Sequence, residues 1–143
     1  MSAQRRPPFH LAFPVDDLEA ARGFYGGVLG CAEGRSSESW VDFDLFGHQI
    51  VAHLDPSLKK QARTNAVDGD AVPIFHFGLV LDVETFEGLA RDLRERDCDF
   101  LIEPRVRFAG QPGEQHTMFV RDPAGNALEF KAFADPARMF ARD

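Results

Sequence analysis

The chain has 143 residues, 44% of them hydrophobic and 27% charged, with 14 phenylalanines and a formal net charge of −7. That size fits one compact domain, or two small modules sharing a core, and the mix of charge and apolar residues argues against disorder. The acidic balance argues against general nucleic-acid binding, which needs a basic face for phosphates, and no apolar run approaches the roughly 20 residues of a membrane-spanning helix.

The opening stretch, MSAQRRPPF, has two arginines but no apolar segment after them. It reads as a loose lead-in and not as a secretory signal. Residues 9–15, FHLAFPV, read as a strand. Asp16 with Glu19 three residues later resembles a capping box that starts a helix. Leu18, Ala21, Tyr25 and Val28 then recur at helical spacing, which puts Tyr25 on a packed stripe, and Gly26, Gly27 and Gly30 weaken and end the helix. Residues 38–54, ESWVDFDLFGHQIVAHL, read as two strands around an FGHQ turn, with His48 of that turn facing solvent. In the second strand Gln49, Val51 and His53 share one face.

Residues 55–73 are polar with Pro at both ends and read as a linker, and its Lys59, Lys60 and Arg63 read as a solvated basic cluster. PIFHFGLVLD, residues 73–82, is again a strand closed by an aspartate. A helix follows, with Val83, Phe86, Leu89, Ala90 and Leu93 on one stripe. CDFLIEP opens a strand, EPRVRFAGQPGEQ reads as a loop, and QHTMFVRDPAGNALEFKAF reads as strand, turn, strand. Residues 134–143 form a tail in which Met139 and Phe140 could cap a module or a subunit contact. Cys31 and Cys98 lack the CxxC spacing of a zinc knuckle or redox dithiol. They read as buried thiols of a reducing, cytoplasmic setting.

The two halves can be laid over each other. His76 follows His10 by 66 residues, and the same offset carries Asp16 onto Asp82. Each half reads as βαβββ, too small to bury its own sheet. The expected fold is therefore α+β: a single domain of two βαβββ modules, 8–54 and 74–133, that pair curved mixed sheets around a metal-containing cleft.

His10, His76 and Glu129 are each a polar interruption in an apolar strand. Two imidazoles and a carboxylate suit a divalent transition metal with open positions, as in non-haem iron(II) oxygen chemistry, and Zn, Mn, Ni or Co also accept such donors. Aligning the GHQIV and GNALE turns sets Glu129 over Val51. His53 is a candidate for acid–base work on the substrate. Gln49, His116 and Arg107 are candidates for substrate contact, with Arg105 beside Arg107 in the same loop. Phe13, Phe75, Phe77, Phe108 and Phe130 are available for an aromatic pocket, and most of them suit a plain core.

On FHLAFPVDDLEAARGFYGGVLG, IFHFGLVL and FVRDPAGNALEF, the sequence resembles the vicinal-oxygen-chelate superfamily, over about residues 8–133. This group includes glyoxalase I, bleomycin-resistance proteins, fosfomycin-resistance enzymes and extradiol dioxygenases. The resemblance implies paired βαβββ modules, a homodimer, and metal ligands at His10, His76 and Glu129. Glyoxalase I-like members use a fourth ligand where this chain has Val51, which cannot ligate. That departure suits the three-ligand pattern of extradiol dioxygenases and of some fosfomycin-resistance enzymes, with Fe(II) favoured. A shift of two residues would instead bring His53 to the fourth position and favour a lyase or isomerase. A non-catalytic protein that grips an aromatic ligand is the further alternative.

Overall fold

The computed structural model describes residues 6–59 and 64–142. The first five residues of the lead-in, and Lys60 and Arg63 of the basic cluster, lie outside the described residues. The chain divides into two compact units, Met1–Lys59 and Lys60–Asp143. Among the described residues no helix is long and apolar enough to cross a membrane.

In the first unit, β1 (His10–Val15) leads into α1 (Leu18–Ala21), which continues as a π-helix over Arg22–Val28. Three strands follow: β2 (Ala32–Ser36), β3 (Trp40–Leu45) and β4 (His48–Leu54). They form a mixed sheet of order β1-β4-β3-β2, with β1 parallel to β4 and the other pairs antiparallel. The helix starts one residue later than expected. Asp17, not Asp16, is the N-cap, and its side chain accepts from Ala20 N–H. Wider π turns carry the glycine-containing segment, and Gly30, at φ +74°, takes the left-handed conformation that ends it.

Alternation decides which residues build the core of this unit. Phe13 and Val15 of β1, Val41, Phe43 and Leu45 of β3, and Ile50 and Ala52 of β4 are buried. Tyr25 from the π-helix is fully buried on this face, with ring centroids 5.2 Å from Phe13 and 5.3 Å from Phe43. The opposite face of the sheet carries His10, Asp42, Gln49, Val51 and His53.

The second unit holds the same βαβββ order in β7 (His76–Val80), α2 (Val83–Glu95), β8 (Phe100–Arg107), β9 (Gln115–Arg121) and β10 (Ala127–Phe133). Its sheet has order β7-β10-β9-β8, with β7 parallel to β10. Asp82 caps α2 by accepting from Thr85 N–H. The helix buries Phe86, Leu89, Ala90 and Leu93, four residues of the stripe read from the sequence. Cys31 and Cys98 are free thiols, one buried and one half-buried. Burial first and a nearby aspartate second push each thiol up to about 11.

Three stretches differ from the sequence reading. Residues 32–36, given no element there, form the edge strand β2, which completes the βαβββ order of the first unit. The expected linker contains a β-hairpin, β5 (Thr64–Val67) and β6 (Asp70–Pro73). Its turn is Asp68-Gly69, with φ of 44° and 86°, the paired positive values that an Asp-Gly hairpin turn takes. The reading of residues 64–73 as plain linker missed this turn signal. The expected loop 103–115 is strand as far as Arg107. Pro104 is tolerated there because β8 is an edge strand, where a missing N–H breaks no ladder.

The DPAGN segment is a tight connection between β9 and β10. Asp122 is 4% exposed, and its carboxylate accepts from Asn126 N–H at 2.8 Å and from Asn126 Nδ2 at 2.9 Å. Gly125, at φ 93°, supplies the positive φ, and its N–H donates to Asp122 O. Replacing Asp122 with Ala strands the two Asn126 donors and keeps the main-chain acceptor of Gly125. An expected loss of about 1–3 kcal/mol, read by denaturant unfolding, checks the role.

Candidate metal centre

Ladder register sets the site's geometry within each unit. His10 opens β1 opposite Gln49, and His76 opens β7 opposite Ala127. Glu129 stands two residues beyond the partner of His76, and Val51 stands two residues beyond the partner of His10. The turn alignment therefore holds in the ladders: Val51 occupies the place of Glu129, and His53 occupies the place of Lys131.

In the second unit, His76 and Glu129 converge on the face opposite α2. His76 Nε2 lies 3.5 Å from Glu129 Oε1. His76 Nδ1–H donates to Pro73 O at 2.7 Å, which fixes the ring and turns Nε2 toward the carboxylate. The second Glu129 oxygen accepts from Thr117 Oγ1 at 2.7 Å, and Lys131 Nζ stands 3.8 Å from Oε1. Thr117 is fully buried, so its hydroxyl needs that partner. Phe119 pairs with Glu129 across β9 and β10 and meets the His76 ring edge-on, with centroids 4.9 Å apart.

Charge follows from this packing. Burial by itself would raise the Glu129 carboxyl, but hydrogen bonds from His76 and Thr117 and the charge of Lys131 outweigh it, and the group lies below its ordinary value. The hydrogen bond to Glu129 is the largest influence on His76 and holds its imidazole above its ordinary value against burial.

The pair fits a divalent metal. Donors bound to one first-row metal at roughly 2.1 Å each stand about 3 Å apart, close to the separation seen. Among the described residues no group of three His, Cys, Asp or Glu side chains is gathered as a ready-made cage. The second unit by itself contributes two donors.

In the first unit, His10 is exposed at the start of β1. Its position is set from both sides of the preceding residue: Phe9 N–H donates to His48 Nδ1 at 2.8 Å, and Phe9 O accepts from Gln49 N–H at 2.9 Å. His48, expected to face solvent from its turn, is the side chain that ties this end of β1 to β4. His10 Nδ1 lies 2.7 Å from Gln49 Oε1, and Gln49 Nε2 donates to Asp42 Oδ2 at 3.2 Å. His53 is exposed in register with Pro14 and Trp40. It is four residues from Gln49, roughly 13 Å along the strand.

Two expected substrate contacts have other roles. His116 pairs with Ala132 and Val106, on the face covered by α2, and its ring centroid is 5.8 Å from that of Phe86. It is on the opposite side of the sheet from Glu129, because alternation from Thr117 turns it there. Arg107 is 2% exposed and not in a loop. Nη1 donates to Val67 O at 2.9 Å, Nη2 is 3.0 Å from Asp70 Oδ2, and the guanidinium lies 5.9 Å from the Phe119 ring centroid. Arg105 pairs with Asp68 and Asp70. The β5–β6 hairpin supplies both aspartates, so these arginines clamp it to β8, and the buried charge of Arg107 is met inside the protein. Of the candidate pocket aromatics, Phe13 and Phe130 are core, Phe77 and Phe108 are half-buried, and Phe75 is 48% exposed.

Thr117, Asp42 and Gly78 are not among the site residues read from the sequence. Thr117 and Asp42 carried only an alternation signal. Nothing in the sequence says that Gly78 faces the backbone of Glu129.

Residues 8–130 match the family model of the Glyoxalase/Bleomycin resistance protein/Dioxygenase superfamily. The chain belongs to this superfamily. Among solved structures, a glyoxalase/bleomycin resistance protein/dioxygenase from Alicyclobacillus acidocaldarius is 32% identical with a TM-score of 0.82, over 94% of this chain and 96% of that one. The fosfomycin resistance protein FosX from Listeria monocytogenes is 16% identical with a TM-score of 0.65, over 90% and 94% of the two chains. A glyoxalase/dioxygenase from Nostoc punctiforme is 19% identical with a TM-score of 0.65, over 91% and 92%. The last two show shared fold alone. None of the curated proteins matches the chain. The superfamily's folds host lyases, resistance proteins and oxygenases alike, so membership fixes the architecture and leaves the chemistry to the site.

Proposed function

We propose that this chain is a metal-dependent dioxygenase of the iron(II) type, acting on a small substrate with vicinal oxygens, catechol-like compounds among them. The convergence of His76 Nε2 and Glu129 Oε1 at 3.5 Å carries the reading. His10 is the third donor that the reading calls for. Val51 at the place of Glu129 supports three protein donors over four, which leaves positions for substrate and dioxygen.

A bound metal would supply Lewis acidity toward the substrate oxygens and a meeting point for the two reactants. The chain's own residues do the rest. Glu129 stays anionic under the hold of Thr117 and Lys131. Pro73 O keeps the His76 ring turned so that Nε2 is the presented nitrogen. The Phe119 ring lies edge-on against His76 and packs that side of it. His53, on the strand face that carries Val51, is the proposed acceptor of a substrate hydroxyl proton.

The test is metal analysis of protein loaded anaerobically with Fe(II), followed by oxygen uptake with a panel of catechols and 2-hydroxy ketones. The expected result is one metal per chain and oxygen consumed in step with product. His53→Ala should keep the metal and lose turnover by roughly 100-fold, the scale of a positioned acid–base group. Turnover without oxygen uptake would move the assignment to a lyase or resistance enzyme. Tight aromatic binding that survives chelation would move it to a binding protein.

A further inference from the structure

The first-unit histidine is oriented by a chain of side chains with a fixed direction. Asp42 Oδ2 can only accept, so the Gln49 group 3.2 Å away must be its amide nitrogen. That leaves Gln49 Oε1 facing His10. A carbonyl oxygen also only accepts, so the His10 nitrogen 2.7 Å away, Nδ1, must carry the proton. The neutral ring is then held with Nε2 as its lone-pair nitrogen. From this chain of contacts we infer that Gln49 and Asp42 are positioning residues, which select the His10 tautomer and aim Nε2 as a metal donor. The inference rests on the metal reading only for what Nε2 binds.

A comparison of the two units supports it. His76 reaches the same tautomer by donating Nδ1–H to a main-chain carbonyl, Pro73 O. His10 reaches it through an amide backed by a carboxylate. The placement of that carboxylate is also informative. In the second unit the cross-strand pair is Glu129 with Phe119, with the carboxylate on the last strand. In the first unit the equivalent pair is Val51 with Asp42, with the carboxylate moved one strand inward. A glutamate at Val51 would be placed as Glu129 is. From β3, Asp42 meets Gln49 instead. The same exchange that removes a fourth donor supplies an orienting group. Gln49, expected to touch substrate, is engaged at both ends of its amide.

Outer partners of metal-bound imidazoles set ring orientation and basicity, and removing them typically lowers metal affinity roughly 10–100-fold. The experiment is ¹⁵N-detected NMR of ring-labelled, metal-free full-length chain above pH 7.5, with Co(II) and Fe(II) titrations of the same samples. Wild type should show His10 and His76 both protonated at Nδ1. Gln49→Ala should move His10 toward the Nε2–H form, leave His76 unchanged as an internal control, and weaken metal binding within that range. Asp42→Ala should produce a smaller shift in the same direction, because the Gln49 amide is then free to turn over. Gln49→Glu keeps an acceptor for Nδ1–H and should hold the His10 tautomer while losing the Asp42 link. An Nε2–H form of His10 in wild type, or no change in Gln49→Ala, overturns the inference. A tautomer shift in a chain that takes up no metal supports the orienting role of Gln49 and overturns the metal reading, so the two fail separately.

Discussion

Glu129→Gln is expected to lower metal affinity by roughly 100-fold or more, since it removes a donor and not merely an outer partner. Glutamine is close to isosteric and can still accept from Thr117, so the fold should be kept. The circular dichroism spectrum should be that of wild type while metal uptake and turnover collapse together. A second readout tests the pairing itself. The hydrogen bond to Glu129 is the largest influence raising the His76 value, so His76 should titrate lower in Glu129→Gln than in the metal-free wild type. The sign also fixes the stability profile of the metal-free chain. His76 is raised, so its share is fully present below its unfolded-state value and is lost as pH rises through the folded one. Glu129 is depressed, so its share is present above its ordinary value and is lost as pH falls through the folded one. The pair therefore stabilises most at mildly acid pH, between the two transitions. Denaturant midpoints measured from pH 3 to pH 8 should be flatter in Glu129→Gln than in wild type.

Gly78→Ala is expected to be the most damaging conservative change in the second unit. Gly78 pairs with Glu129 between the parallel strands β7 and β10. A Cβ on Gly78 would fall onto the Glu129 carbonyl oxygen, and that neighbour is backbone with no rotamer to give way. The strands would have to part at the residue that carries the carboxylate and two residues from His76. A loss on the order of 3–5 kcal/mol fits a forced backbone displacement inside a sheet. At temperatures where the variant stays folded, metal affinity should fall as well, because the separation of His76 and Glu129 depends on that strand contact. Gly88→Ala is the matched control. Gly88 lies inside α2, and its added Cβ would meet only the end of the Arg91 side chain at 3.8 Å. The same substitution there should stabilise by about 0.5–1 kcal/mol through helix propensity. Thermal unfolding of the two variants side by side checks both signs, and equal shifts would refute the strand-contact account.

Where the sequence reading held, a local rule carried it. His10 and His76 begin equivalent strands because both precede an apolar run closed by a helix cap, although the cap in the first unit is Asp17 and not Asp16. Asp-Pro-Ala-Gly-Asn marked the β9–β10 turn because its chemistry is local, and that turn carried the Glu129–Val51 correspondence that the ladders bear out. Where the reading failed, the deciding partner was distant in sequence or the signal was overlooked. Arg107 looked like an exposed loop cation until the 64–73 hairpin brought Asp70 to it. His116, a candidate for substrate contact, is turned to the α2 face by the alternation of β9 from Thr117. The Asp68-Gly69 turn was legible in the sequence and was hidden only by the polar composition around it.

By itself, the sequence determined the repeat, the βαβββ order of each unit, the strand positions of His10, His76 and Glu129, and the correspondence of Val51 with Glu129. These follow from period, spacing and turn chemistry, which act over a few residues. Only the tertiary structure decided which nitrogen each histidine presents, which oxygen of Glu129 is held by Thr117, and that Asp42 and Gln49 serve His10. Those depend on ladder register, which brings residues 39 apart in sequence, such as His10 and Gln49, into hydrogen-bond reach. Register is a property of paired strands, and a shift of one residue would turn every one of these side chains to the other face.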